Sequence, residues 1–316
     1  METSAIGRTG IVVPRLCVGC WQAAGWASSD DRRFMETLRH AIDKGLVFLD
    51  TAEGYGNGHS EDLVGRVIAD RRDKVVLATK FSPGASRPKD IRTHLEQSLR
   101  RLGTDTIDLY QQHWPPKNIP LADTIGELER LKEEGKIRAV GVSNWMEPEW
   151  QEIADPGRID CLQPNHSLLW RSIEKSVLPL CRENGIGVIT YSSLCQGILA
   201  ARFKTRDDIP KDMRSRNYRL RPEHFDDTLR VVAALEEIAR KYEKTPAQTA
   251  LRWLLDQQGI TAAIVGASRP AQVDDNLKAL DWKLDDEDWE SLSRISAPLS
   301  ENLGPRDTLW GWHPRA

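Results

Sequence analysis

The sequence predicts an α/β fold, a (β/α)8 TIM barrel with an N-terminal hairpin, a long loop after strand seven, an extra helix and a C-terminal tail. Three observations point there. Short β-rich runs alternate with longer segments of helical period. The runs are apolar nearly throughout, as expected of parallel strands buried on both faces. There are eight of them over roughly 250 residues, which is the usual extent of a closed barrel. A chain of 316 residues would divide into two average domains, but one barrel can use the whole length, so residues 1–316 are expected to form a single domain. An open doubly wound sheet is the competing architecture. It would ordinarily have fewer strands or a second domain.

The elements follow in order. Ile6–Ile11 (IGRTGI) suggests a small hairpin ahead of the barrel. The barrel strands are expected at Leu16–Gly19, Val47–Asp50, Val75–Lys80, Ile107–His113, Ile137–Val142, Ile159–Gln163, Gly187–Tyr191 and Ile260–Val265. Arg32–Lys44 places Phe34, Met35, Leu38, Ala41 and Ile42 on one helical face and stops at Gly45. Ser60 is expected to cap the helix that carries Leu63, Val64, Val67 and Ile68. Helices over Pro88–Leu102, Leu121–Glu134 and Ser172–Glu183 stop at or near Gly103, Gly135 and Gly185. Thr245-Pro246-Ala247-Gln248 has the form of a capping box with Pro at the first helical position. Arg202–His224 is dense in charge and poor in period, a long loop. Leu284–Ile295 is the extra helix, with Asp285 as its cap, and Ala297–Ala316 is the tail.

Composition narrows the function. Formal net charge is −3, with 44 basic and 47 acidic residues. So even a balance argues against nucleic acid or a membrane surface as the main partner. No segment has the length and apolarity of a membrane span, and METSAIGRTG lacks the features of a signal peptide. Five cysteines are too few for a disulfide scaffold. A cytoplasmic protein with a small-molecule substrate is the expectation; the oligomeric state is not legible. Eleven tryptophans are the compositional oddity, since Trp suits both cores and ligand pockets.

Three strand ends carry candidate chemistry. Asp50 ends VFLD, Lys80 ends VVLATK and His113 ends IDLYQQH. C-terminal strand ends form the active-site face of a barrel. Tyr55 follows Asp50 within GYGNG and can lean back over that rim. A polar residue at a strand end is often only where the chain meets solvent, but these four are chemically compatible. A free phenol titrates near ~10. An adjacent ammonium is expected to lower that value, a carboxylate can orient the ammonium, and an imidazole can donate to a carbonyl oxygen. The pattern is a proton-transfer site built on tyrosine, with no metal required.

The stretches FLDTAEGYGNGHSEDLVG, LATKF, DLYQQHW, IRAVGVSNW, LQPNHSLL, ITYSSLCQGIL and IVGASRPAQVDDNLKAL resemble the aldo-keto reductases, in order and spacing, over most of the chain. The resemblance implies a catalytic tetrad of Asp50, Tyr55, Lys80 and His113, with Tyr55 as general acid in reduction of an aldehyde or ketone. It implies a nicotinamide cofactor extended along the rim, NADP ahead of NAD. Ser143, Asn144 and Gln163 would hold the carboxamide, and Tyr191 would stack on the nicotinamide, with Trp21 and Asp50 beside it. Ser192, Leu194, Gln196 and Gly197 would wrap the pyrophosphate. Gly266, Ala267, Ser268 and Arg269 would form the turn near the adenosine phosphate, and Gln272 and Asn276 would meet the adenosine. Many relatives place Lys and Arg where this chain has Gly266 and Gln272, so Arg269 is the expected substitute contact to a 2′-phosphate. Trp21, Trp26, Tyr55, His113 and Trp114 are the expected substrate contacts, and Trp310 and Trp312 are placed to close over the pocket. Some relatives, the β-subunits of potassium channels, keep the tetrad and act as regulatory redox-sensing subunits, which is the alternative function.

Other motifs carry less. Cys17-Val18-Gly19-Cys20 has redox spacing but lies on a buried strand rather than at a helix N-terminus. Gly141-Val142-Ser143-Asn144-Trp145 misses the last glycine of a nucleophile elbow. No zinc-binding pattern is present.

Overall fold

The structure is a computed structural model and describes residues 1–24, 30–301 and 303–315. Strands β1 (Thr3–Ala5) and β2 (Val12–Pro14) form an antiparallel hairpin. Eight parallel strands then close into a barrel: β3 (Leu16–Gly19), β4 (Phe48–Asp50), β5 (Val76–Phe81), β6 (Ile107–Gln112), β7 (Ile137–Ser143), β8 (Cys161–Gln163), β9 (Gly187–Thr190) and β10 (Ile260–Gly266). Closure pairs β10 with β3, from Ala263–Leu16 to Gly266–Gly19. Each strand matches a predicted run, its ends shifted by two residues at most.

Period two divides every strand between two cores. One row faces the barrel interior: Cys17, Phe48, Ala78, Leu109, Ala139, Cys161, Ile189, Ala262 and Ile264. Ile6, Ile11 and Val13 of the hairpin join that cluster and close the N-terminal end. The other row, including Val18, Leu49, Leu77, Tyr110, Val140, Leu162 and Val188, packs against the surrounding helices. Most of the tryptophan excess sits in this outer layer. Trp145, Trp170 and Trp253 are fully buried, and Trp253 stacks on Trp289 with centroids 5.9 Å apart.

The helices are α1 (Asp31–Asp43), α2 (His59–Ile68), α3 (Pro88–Leu102), α4 (Leu121–Glu133), α5 (Glu147–Gln151), α6 (Val177–Glu183), α7 (Pro222–Lys241), α8 (Pro246–Asp256), α9 (Pro270–Leu277) and α10 (Asp286–Ser296). The capping box at α8 is present, Thr245 Oγ1 accepting from Gln248 N and Gln248 Oε1 from Thr245 N. Four expectations need correction. Ser60 does not cap α2, whose N-cap is Gly58, two residues earlier. Its hydroxyl instead donates to the Cys20 carbonyl and lies 2.8 Å from Thr51 Oγ1, tying α2 to two strand ends. The helix expected from Ser172 begins only at Val177. Upstream, the Arg171 backbone N–H donates to Ser300 Oγ, and its guanidinium to Glu174 and Ser296, so tertiary contacts replace the first turn. Asp285 occupies the N-cap of α10 without a capping bond, its carboxylate lying 3.9 Å from Lys241. The loop after β9 ends at Arg221, because Pro222 opens the twenty-residue α7, whose dense outer charge hides the row Phe225, Val231, Val232, Leu235 and Ile238.

Gly7 anchors the hairpin under the barrel. Its φ is +50°, and a Cβ would lie 2.5 Å from the Asp160 carbonyl and 2.8 Å from that of Gly185. Both obstacles are backbone and cannot rotate away. Gly7→Ala is therefore expected to destabilise the fold by about 1–3 kcal/mol. A urea midpoint lowered with activity at 25 °C retained would bear this out, since the hairpin lies at the end opposite the strand C-termini.

Candidate active site

The interior rows run directly into a polar cluster. Two residues beyond Phe48 on β4 is Asp50, two beyond Ala78 on β5 is Lys80, and two beyond Leu109 on β6 is Gln111. Continuing the same parity, Gln163 is the last residue of β8, and His113 and Tyr191 stand just past the ends of β6 and β9. Lys80 is completely buried and Asp50 is 2% exposed. The ammonium donates to Asp50 Oδ2 at 2.7 Å, to the Thr51 carbonyl at 2.8 Å and to Tyr55 Oη at 3.4 Å. That directs all three of its N–H bonds. Asp50 Oδ1 accepts from Gln163 Nε2 at 2.8 Å and from Gln111 Nε2 at 3.3 Å. Gln111 fits because position 141 is glycine: a Cβ there would lie 2.5 Å from Gln111 Cγ.

Tyr55 stands in the turn after β4. Its ring meets His113 edge-on at 5.6 Å and Trp21 at 6.4 Å. Burial acts against the Lys80 charge, but Asp50 and the hydrogen bonds to Asp50 and Tyr55 outweigh it, so its pKa is raised. Burial pushes the Tyr55 phenol up as well. Lys80 opposes that rise and Asp50 adds to it, and the net direction is upward. The expected lowering by the ammonium is thus overturned in the free chain, because burial prevails and the charge of Lys80 is already matched by Asp50. Burial and then Lys80 push the His113 imidazole down to about 3. His113 is therefore neutral at neutral pH and retains one N–H donor.

A second network joins the neighbouring strand ends. Ser143 donates to the Gln163 carbonyl at 2.8 Å. Asn144, in left-handed conformation at φ 61°, donates to the His113 carbonyl at 2.9 Å and to Ser143 Oγ at 3.1 Å. Its Oδ1 accepts from the Tyr191 hydroxyl at 2.6 Å.

Beside Tyr55 opens a groove of about 490 Å3. Its wall includes Trp21, Asp50, Tyr55, Tyr191, Ser192, Leu194, Gln196, Gly197, Gly266, Ser268, Gln272 and Asn276 from the predicted set. Ser143, Asn144, Gln163, Ala267 and Arg269 are not on that wall. The first three are buried behind the rim, Ala267 is buried, and Arg269 is exposed at the N-cap of α9. Gln272 Oε1 accepts from Ser268 N and Oγ at the start of that helix. The loop after β9 bends through a run of left-handed residues, Ser192, Cys195, Gln196, Gly197 and Ala201. Such strain collects at ligand sites. Trp26 lies outside the described residues. Trp114 packs under the tail, 5.4 Å from Trp312 and 5.6 Å from His313, while Trp310 meets Trp21 at 5.2 Å. The tail therefore covers the barrel mouth.

The residues fit an elongated anionic cofactor. Gln196 Nε2 is buried without a partner in this groove. Arg202 and Arg214 line it, and the Asp275 carboxylate on its wall is engaged by Gln248. Sequence reasoning does not single out Gln111, Arg202, Phe203, Arg214 or Asp275, and it marks Thr245 only as a helix cap. Strand parity alone would have found Gln111. The two arginines sit in a segment without period and become visible only when the loop folds over the groove.

Among the described residues, no group of three or more His, Cys, Asp and Glu is placed to hold a metal, and no helix is long and apolar enough to cross a membrane. Residues 15–297 match the family model of the aldo/keto reductase family. The chain is 34% identical to the NADH-specific methylglyoxal reductase of Escherichia coli (strain K12), covering 95% of this chain and 99% of the relative. The solved glycerol dehydrogenase AKR11B4 from Gluconobacter oxydans superposes with a TM-score of 0.84 at 34% identity, covering 96% of this chain and 97% of that one. An aldo/keto reductase from Klebsiella pneumoniae in complex with NADP and acetate gives a TM-score of 0.76 at 31% identity, covering 94% and 96%. With the barrel and this site, the match makes the protein an oxidoreductase. The chain belongs to the aldo/keto reductase family.

Removing one member of the buried pair leaves a charge stranded. Lys80→Met is expected to cost about 3–5 kcal/mol. Combining it with Asp50→Asn should recover part of that loss, because the two effects are coupled. Denaturant midpoints of the two single variants and the double variant measure the coupling; strictly additive losses would contradict it.

Proposed function

We propose that the protein is an NADP-dependent carbonyl reductase. It converts aldehydes or ketones to alcohols, reversibly, with Tyr55 as general acid. The observation that carries this reading is the contact of Lys80 with both Asp50 and Tyr55, with His113 edge-on to the phenol at the end of the groove.

When bound, the nicotinamide dinucleotide supplies the hydride that adds to the carbonyl carbon. The chain handles the oxygen. Neutral His113 donates a hydrogen bond to it and fixes its direction. Tyr55 transfers its phenolic proton to the same oxygen. Its raised pKa keeps that proton in place at neutral pH until a negative charge develops beside it. Lys80 then stabilises the phenolate left behind, and Asp50 with Gln111 and Gln163 holds Lys80 at that position. In the oxidation direction the phenolate takes the proton from the alcohol.

In this reading the groove residues would hold the cofactor. Tyr191 would offer a ring for stacking, and Ser143, Asn144 and Gln163 would hold the carboxamide. Arg202 and Arg214 on the groove wall would take the phosphates, and Arg269 at the start of α9 would take a 2′-phosphate.

Tyr55→Phe should lower kcat for carbonyl reduction by about 10²–10⁴-fold while leaving NADPH affinity near that of the parent. Stopped-flow hydride transfer and fluorescence titration read the two separately. Unchanged turnover would remove Tyr55 from the role. Arg269→Ala should weaken NADPH far more than NADH; equal weakening in titrations of both would reject the 2′-phosphate contact.

A further inference from the structure

A small cavity lies under the C-terminal tail, next to the site but separate from the groove. Its volume is about 20 Å3, and Trp114, Trp170 and Tyr191 give it aromatic walls. A water-sized group needs about 10–15 Å3, so it has room for one oxygen atom with its hydrogen. Asn165 and His313 also line it. Asn165 is 8% exposed and His313 5% exposed. Neither polar atom of the Asn165 amide has a hydrogen-bond partner among the described residues, and neither does His313 Nε2. Leaving such groups unmatched is costly in a buried place.

Their positions are fixed from opposite sides. The Asn165 backbone bridges Tyr191 in parallel register, and Tyr191 N donates to the Pro164 carbonyl at 3.0 Å. His313 is held by the tail and by the edge of Trp114. Its Nδ1 accepts from Arg315 N at 3.1 Å, which puts the imidazole proton on Nε2. The cavity therefore holds an unmatched acceptor, the Asn165 carbonyl, and unmatched donors, the Asn165 NH2 and the His313 Nε2–H. The Thr308 hydroxyl on the same wall is satisfied within the tail. The Asp307 carboxylate on that wall disfavours an anion. Size and charge together select a neutral hydroxyl.

We propose that Asn165 and His313 form a hydroxyl-recognising subsite, so that the preferred substrates are carbonyl compounds that also carry a hydroxyl group. This rests on the carbonyl-reductase reading above. Trp114, next to His113 in sequence, and Tyr191, shared with the groove, connect the subsite to the reacting end. The hydroxyl accepts from His313 Nε2 and donates to Asn165 Oδ1, which meets two unmatched groups at once. An aldehyde without a hydroxyl leaves both unmatched.

The test compares glyceraldehyde with propanal, and a hydroxylated four-carbon aldehyde with butanal, at saturating NADPH. The parent protein should show kcat/KM at least about tenfold higher for the hydroxylated member of each pair. Asn165→Leu and His313→Phe should bring the hydroxylated substrates down to the level of the plain ones, with the plain aldehydes changed less than about twofold. His313→Gln, which keeps a donor, should retain part of the preference. Retained rates on propanal and butanal also show that the variants are folded. Equal losses on both members of a pair would overturn the subsite and mark the cavity as a water-filled latch for the tail. No preference in the parent would overturn it as well. If the parent reduces none of the aldehydes, the carbonyl-reductase reading itself fails.

Discussion

Everything at the site depends on the Lys80–Asp50 ion pair closed inside the barrel mouth. A fully buried ammonium is unfavourable unless each N–H has an acceptor. Here Asp50, the Thr51 carbonyl and Tyr55 Oη supply them. The second carboxylate oxygen is held by Gln163 and Gln111. Four strands thereby converge on one charge pair, and Gly141 makes the room that the convergence needs. Tyr55 and Asp50 reach the wall of the groove, while Lys80, Gln111 and Gln163 lie behind it.

The barrel makes this arrangement possible through parity. A closed sheet has an interior row that alternates strictly with an exterior one. Apolar residues fill the interior row at the level of Phe48, Ala78 and Leu109, and hairpin side chains seal its lower end. Polar residues of the same row can then gather only at the open end. The outer row packs with the buried tryptophans of the surrounding layer to hold the helices, and leaves the loops at the mouth free to differ in length.

Those loops divide the surroundings of Tyr55 into two environments. On one side the segment after β9 bends through left-handed residues and brings Arg202 and Arg214 to the groove. On the other the tail lays Trp310 on Trp21, and Trp312 and His313 on Trp114. One side is a polar groove with two arginines and the other is aromatic with a few polar groups.

Much of this was legible in the chain itself. The eight strands, the hairpin, the stop at Gly103 and the capping box at Thr245 are local signals, set by apolar runs and by residues with restricted backbone preferences. Asp50, Lys80 and His113 could be placed on one rim because strand ends in a barrel share a face. Local signals failed where a distant partner competed. Ser60 looks like a cap, but Thr51 and the Cys20 carbonyl take its side chain, and Asp285 sits at the N-cap of α10 without a capping bond. The first turn expected at Ser172 yields to Arg171 contacts with the C-terminal segment. The Tyr55 phenol is raised rather than lowered, because burial depends on what surrounds the ring. Residue type and spacing along the chain thus determined the barrel and the polar side chains that gather at its rim. Tertiary structure decided burial, charge and the grouping of Gln111, Arg202, Asn165 and His313, because those depend on neighbours remote in the sequence.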